Sequence, residues 1–137
     1  MKFKVKSSGQ FLNILNASPL NGATACQGTT PTTTNFDWSL IHSSEGGYYL
    51  IRVESSGQYL NILDASKANG AIACQGNTPT TDNFLWQMIP AGGPYFKLQV
   101  KSSGQYLNIL NASQENGAVA CQGNTPTTDN FLWQLIV

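Results

Sequence analysis

The chain has 137 residues, of which 41% are hydrophobic and only 10% charged, and its seven Lys+Arg balance seven Asp+Glu. That length is one domain's worth; zero net charge argues against nucleic acid, which calls for clustered positive charge, and no apolar run reaches the roughly 20 residues of a membrane-spanning helix, so no membrane insertion is expected. Polarity is carried by 13 Asn, 12 Ser, 12 Thr and 10 Gln, amides and hydroxyls suited to uncharged polar ligands.

In chain order, Phe3 and Val5 alternate with Lys2, Lys4 and Lys6, the period of a half-buried strand. Ile51 and Val53, then Leu98 and Val100, take the same places further on. In the middle unit a Ser-Ser-Gly-Gln turn follows, with Gly57 able to take positive φ. A second strand is predicted over Tyr59–Leu63 and a turn at Asn69-Gly70. The third strand is predicted over Ala71–Gln75, a polar loop over Gly76–Asn83 around Pro79, and the fourth strand over Phe84–Ile89. The segment Ser55–Ile89 recurs at Ser102–Ile136 with five differences in 35 positions and at Ser7–Ile41 with ten. Three units, about 1–47, 48–94 and 95–137, therefore make one all-β domain of twelve strands with almost no helix. Four short strands cannot bury their own apolar face, so the three units must share a core, best in a closed barrel without exposed edges.

The runs Ser-Gly-Gln-Tyr-Leu-Asn-Ile, Asn-Gly-Ala-x-Ala and Asn-Phe-x-Trp resemble the repeats of the ricin-B-type (R-type) β-trefoil lectins, Gly-x-x-Leu-Asp-Val, Asn-Gly-x-x-Val and Gln-x-Trp. The resemblance covers the whole chain. It implies a β-trefoil with pseudo-threefold symmetry, up to three sugar sites for galactose or N-acetylgalactosamine, and agglutination of glycoconjugates. The family's sugar-binding Asp corresponds to Asn13, Asn61 and Asn108 here. The Gln of Gln-x-Trp corresponds to Phe36, Phe84 and Phe131, with Asn35, Asn83 and Asn130 kept before it. The place of the family's stacking aromatic holds Gln27, Gln75 and Gln122 or, one residue on, Gly28, Gly76 and Gly123.

Alternation with Leu60 and Ile62 inside turns Tyr59, Asn61 and Leu63 outward together. In the polar loop, Gln75, Asn77, Thr78, Thr81, Asp82 and Asn83 recur as Gln122, Asn124, Thr125, Thr128, Asp129 and Asn130. The candidate sugar-binding set is thus Asn13, Gln27, Asn35, Asn61, Gln75, Asn77, Asp82, Asn83, Asn108, Gln122, Asn124, Asp129 and Asn130. The competing reading is that these side chains cap turns and satisfy loop backbone. Thr29 and Thr34 stand in the first unit for Asn and Asp, which predicts a weaker or different first site.

Trp38, Trp86 and Trp133 read as threefold core residues. Cys26, Cys74 and Cys121 read as small buried free thiols, consistent with a reducing compartment. No metal or other cofactor is implied. His42 stands alone outside the repeat, and the acids are too isolated for a glycosidase, which needs two carboxylates facing one bond. The expected partners are neutral glycans or glycoproteins, with a homodimer permitted by the neutral charge, in the cytoplasm or exported without a signal peptide. The alternatives are a protein-binding trefoil, such as a protease inhibitor or cytoskeletal cross-linker acting through the divergent stretches Ser43–Tyr49 or Pro90–Tyr95, and a symmetric scaffold without ligand.

Overall fold

Alternating burial builds the core. A computed structural model describes all of residues 1–137. The first repeat forms β1 (Lys2–Val5), β2 (Phe11–Ile14), β3 (Ala25–Gly28) and β4 (Trp38–His42); the second β5 (Tyr49–Val53), β6 (Tyr59–Ile62), β7 (Ala73–Gly76) and β8 (Trp86–Pro90); the third β9 (Tyr95–Val100), β10 (Tyr106–Ile109), β11 (Ala120–Gly123) and β12 (Trp133–Ile136). The inward residues of the first strands, Phe3, Val5, Ile51, Val53, Leu98 and Val100, are fully buried. They meet Leu12, Ile14 and their repeat equivalents in one cluster of 19 buried residues that includes all three Trp. Each indole N–H donates to the second-strand carbonyl of its own repeat, Trp86 to Leu60 at 2.9 Å, so the largest core side chains leave no unpaired donor.

Six strands close a barrel. β1 pairs with β12, β12 with β9, β9 with β8, β8 with β5 and β5 with β4, all antiparallel. The last seam, β4 against β1, is sealed by Trp38 N–H on the Met1 carbonyl at 2.9 Å and the Met1 amino group on the Trp38 carbonyl at 3.3 Å. The hairpins β2–β3, β6–β7 and β10–β11 cap one end as a triangle. Each touches the next in a ring: Thr24 bridges to Cys74, Ile72 to Cys121 and Val119 to Cys26. This is the β-trefoil the resemblance implies.

The elements differ from the sequence reading at their ends. The second strand stops at Ile62, and Leu63–Ala65 forms a 3-10 turn in which Asp64 and Ala65 have φ of 57° and 51°. The third strand begins at Ala73, not Ala71, because Gly70 and Ala71 bond the next repeat, while the Ile72 carbonyl still accepts from Leu63 N–H of its own hairpin at 2.9 Å. The Gly70 N–H donates to the Gln122 carbonyl at 2.8 Å and the Gln122 N–H to the Ala71 carbonyl at 2.9 Å. Gly70 does this at φ 87°, a conformation open to glycine. The fourth strand starts at Trp86, since Asp82–Phe84 is also a 3-10 turn. Helical structure is confined to six such three-residue turns. Asn61 does not face outward: it is 5% exposed, and β6 is buried on both faces from Leu60 to Ile62.

Replacing Trp86 by Phe leaves the buried Leu60 carbonyl without its donor and the core short of volume. A loss of about 2–4 kcal/mol is expected, read as a lower urea midpoint at unchanged m-value.

Candidate functional site

Each cap hairpin opens a shallow cavity of about 190–200 Å3 at the seam with another repeat. In the second repeat one wall is β6 and β7 (Asn61, Cys74, Gln75 and Gly76), continued by Asn77 and Thr78, with Leu63 and Asp64 from the left-handed turn and Phe84 below. The opposite wall, Asn21 and Gly22, belongs to the first repeat. The third repeat closes the first cavity with Asn116 and Gly117, and the second repeat closes the third with Asn69 and Gly70.

The floor is an amide network. Asn61 Nδ2 donates to the Tyr59 and Cys74 carbonyls at 3.2 and 3.3 Å. Its Oδ1 accepts from the Cys74 thiol at 3.6 Å and from Asn83 Nδ2 at 3.3 Å. Asn83 Nδ2 also donates to the Ile62 carbonyl at 3.2 Å, and its Oδ1 accepts from the Thr81 hydroxyl. Gln75, fully buried, donates through Nε2 to the Ser18 and Leu20 carbonyls of the first repeat at 2.9 and 2.8 Å and accepts from Ser56 at 2.7 Å. Gln27 and Gln122 make the same clasp onto Ser113 and Glu115 and onto Ser66 and Ala68. Asn21 Oδ1 accepts the Asn77 N–H at 2.9 Å, fixing the rim to the neighbouring repeat.

The candidate residues therefore divide. Asn13, Asn61 and Asn108, with Gln27, Gln75 and Gln122, line the cavities, but their polar atoms are engaged by protein. Asn35, Asn83 and Asn130 are buried and lie outside the linings. Asn77 and Asn124 stand exposed at the rim, each Oδ1 accepting from the next Thr hydroxyl at 3.0 Å, each Nδ2 unengaged. Asp82 and Asp129 lie outside the cavities and face Lys101 and Lys6 across repeat seams, both at 3.7 Å. At the remaining seam both partners change together, to Thr34 and Glu54.

Sequence reasoning missed three contributors: the left-handed residues Asn16, Asp64 and Asn111, the Asn-Gly turns from the neighbouring repeat, and the Phe36, Phe84 and Phe131 rings. Leu63, 41% exposed, supplies the apolar flank that its outward position suggested. A Cβ on Gly76 would fall 2.8 Å from Phe84 Cζ and 2.9 Å from Asn61 Nδ2, so the glycine lets the Phe ring and the amide meet behind the cavity.

Burial raises the thiols of Cys26, Cys74 and Cys121 from 9.0 to about 11, partly offset by the hydrogen bond to Asn. For Cys74 the Asp64 carboxylate adds to the rise. The thiols are neutral donors at physiological pH. Asp64 is the single carboxylate among the three cavity linings, and no group of three His, Cys, Asp or Glu is placed to hold a metal ion. His42 packs against Tyr49, ring centroids 4.8 Å apart.

A closed six-stranded barrel and a triangular hairpin cap, with a seam cavity per repeat, define a β-trefoil. The ricin-type beta-trefoil lectin domain-like family model matches residues 1–76, 37–123 and 82–137; the chain belongs to this family. Compared directly as a sequence, it matches none of the curated proteins. Among solved structures it is similar to the designed 3-fold symmetric protein ThreeFoil, 32% identical over 99% of this chain and 96% of that one, with a TM-score of 0.95. It is also similar to 1,3Gal43A, an exo-beta-1,3-galactanase from Clostridium thermocellum, 28% identical over 99% of this chain and 29% of that one, TM-score 0.95. The earthworm R-type lectin C-half in complex with GalNAc shares the fold, 18% identical over 96% and 93% of the two chains, TM-score 0.70.

Two outcomes are expected. Each thiol's folded-state pKa lies above its unfolded one, so its stabilising contribution is complete below pH 9.0 and is lost as pH rises through about 11. The urea midpoint should fall across that window and fall less in the C26A/C74A/C121A variant. Gly76→Ala should cost about 1–3 kcal/mol through overpacking, measured by urea unfolding.

Proposed function

We propose that the protein is a non-catalytic lectin that binds neutral saccharides of the galactose or N-acetylgalactosamine type, one sugar ring at each seam cavity, and cross-links glycoproteins. The observation that carries this reading is the division of labour in the cavities. The buried amides hold the wall together, while the rim keeps unengaged polar groups, Asn77 and Asn124 Nδ2 and the tips of Asn16, Asp64 and Asn111, beside an exposed Leu. Hydrogen-bonding groups next to an apolar flank suit a pyranose, which presents hydroxyls at its edge and C–H groups on its face. The lack of a second carboxylate in any cavity supports binding without hydrolysis. Family membership supports carbohydrate binding in general, and the GalNAc-bound earthworm neighbour supports the choice of sugar.

Three shallow sites on one rigid body bind weakly one at a time and gain on the order of a hundredfold on a multivalent surface. The first cavity, with Thr29 in place of the rim Asn, should bind differently from the other two.

A glycan array followed by calorimetry with free galactose and N-acetylgalactosamine tests the reading. Asn77→Ala and Asn124→Ala should each weaken their own cavity about threefold to tenfold, the worth of one neutral hydrogen bond, and the double variant should need severalfold more protein to agglutinate. Asp82→Ala, outside the cavities, should keep agglutination unchanged; a loss there would move the sugar to the Lys101 seam. No binding to any glycan would leave a symmetric scaffold without ligand.

A further inference from the structure

The second and third cavities are lined by the same residue types at every position but one, where Asp64 stands in the second and Asn111 in the third; the first has Asn16 there. Backbone geometry does not account for the difference. Asp64 has φ 57° and ψ 21°, and Asn111 has φ 57° and ψ 23°, a left-handed conformation that Asn and Asp both tolerate. Nor does an internal partner. Asp64 is exposed and its side chain makes no hydrogen bond or ion pair within the protein, and Lys67, three residues on, donates instead to the Ser102 carbonyl of the third repeat. The carboxylate faces the cavity closely enough to act on the Cys74 thiol. Of the two otherwise matched cavities, the second thus holds an uncompensated negative charge and the third does not.

We propose that the second cavity selects saccharides carrying a free amino group, 2-amino-2-deoxyhexoses and their oligomers, while the first and third take the neutral ring. The proposal rests on reading the cavities as sugar sites. A protonated amine donates a charge-assisted hydrogen bond to Asp64 that a hydroxyl cannot equal. A hydroxyl or N-acetyl N–H also donates to the carboxylate but brings no charge of its own, so it gains less, and a uronic or sialic acid is repelled. Since Asp64 is exposed, the preference is modest, about twofold to fivefold by analogy with exposed ion pairs.

The test is a 1H–15N NMR titration of the whole protein with galactosamine and with galactose at mildly acidic pH, where the amine is charged. The backbone amides of Thr29, Asn77 and Asn124 report the three cavities separately. Galactosamine should saturate the Asn77 signal at a concentration about twofold to fivefold below that for Asn124, with galactose showing no such gap. The gap should close at an ionic strength of about 1 M, where the screening length falls to about 3 Å. Asp64→Asn should remove the preference and Asn111→Asp should create it in the third cavity; both changes place a residue the same turn already carries in another repeat. Equal saturation of the two signals, or a preference that survives Asp64→Asn, overturns the proposal while galactose shifts at all three sites leave the lectin reading standing. No shift with either sugar overturns both.

Discussion

The rest of the structure depends on one buried clasp. At the end of the third strand of each repeat a fully buried Gln reaches two backbone carbonyls in the turn of another repeat: Gln75 to Ser18 and Leu20, Gln122 to Ser66 and Ala68, Gln27 to Ser113 and Glu115. Its own carbonyl takes the Gly N–H of the same Asn-Gly turn. A buried amide is stable only when its donors and acceptors are met; here a Ser of the same repeat meets the side-chain oxygen, but both donors are met by a neighbouring repeat. The clasp therefore makes the repeats interdependent and fixes the cap as a ring rather than three loose hairpins.

The seam cavities follow from it. A clasp that pulls one repeat's Asn-Gly turn over another repeat's hairpin necessarily forms a recess between them, floored by amides already satisfied. The groups left without structural duty are those the left-handed turn pushes to the rim. That turn carries two consecutive non-glycine residues at positive φ, such as Asp64 and Ala65, at an expected cost of roughly 1–2 kcal/mol per residue for an alanine. The same strained turn is held three times over, each time beside a cavity.

Much of this was legible in the sequence. Period-two alternation identified Phe3, Val5, Ile51 and their equivalents as core, and the threefold recurrence of Trp at fixed spacing identified a shared barrel. Alternation failed at Asn61 for a physical reason. It assumes one dry face and one wet face, but β6 is covered on the core side by the barrel and on the other by the Asp82–Phe84 turn, so Leu60, Asn61 and Ile62 are all buried. The polar loop was read as part of the candidate sugar site, yet its one acid, Asp82, lies on a different seam. What pairs Asp82 with Lys101 is contact between repeats, and a single repeat's pattern carries no record of it. The same blindness hid Asn69, read as the turn of its own hairpin, and its equivalents Asn21 and Asn116, each serving as the wall of another repeat's cavity. The joint replacement by Thr34 and Glu54 was the one signal in the sequence that could have exposed the second seam.

The most direct test of the account is a crystal structure of the protein soaked with N-acetylgalactosamine. The account predicts one sugar ring in a seam cavity between two repeats, its apolar face toward Leu63 or Leu110 and its hydroxyls toward Asn77 or Asn124 and the left-handed residue, with the buried Gln clasp unmoved. A sugar seated instead at the Asp82–Lys101 seam or on the Pro90–Tyr95 loop, with the three cavities holding only water, would contradict it.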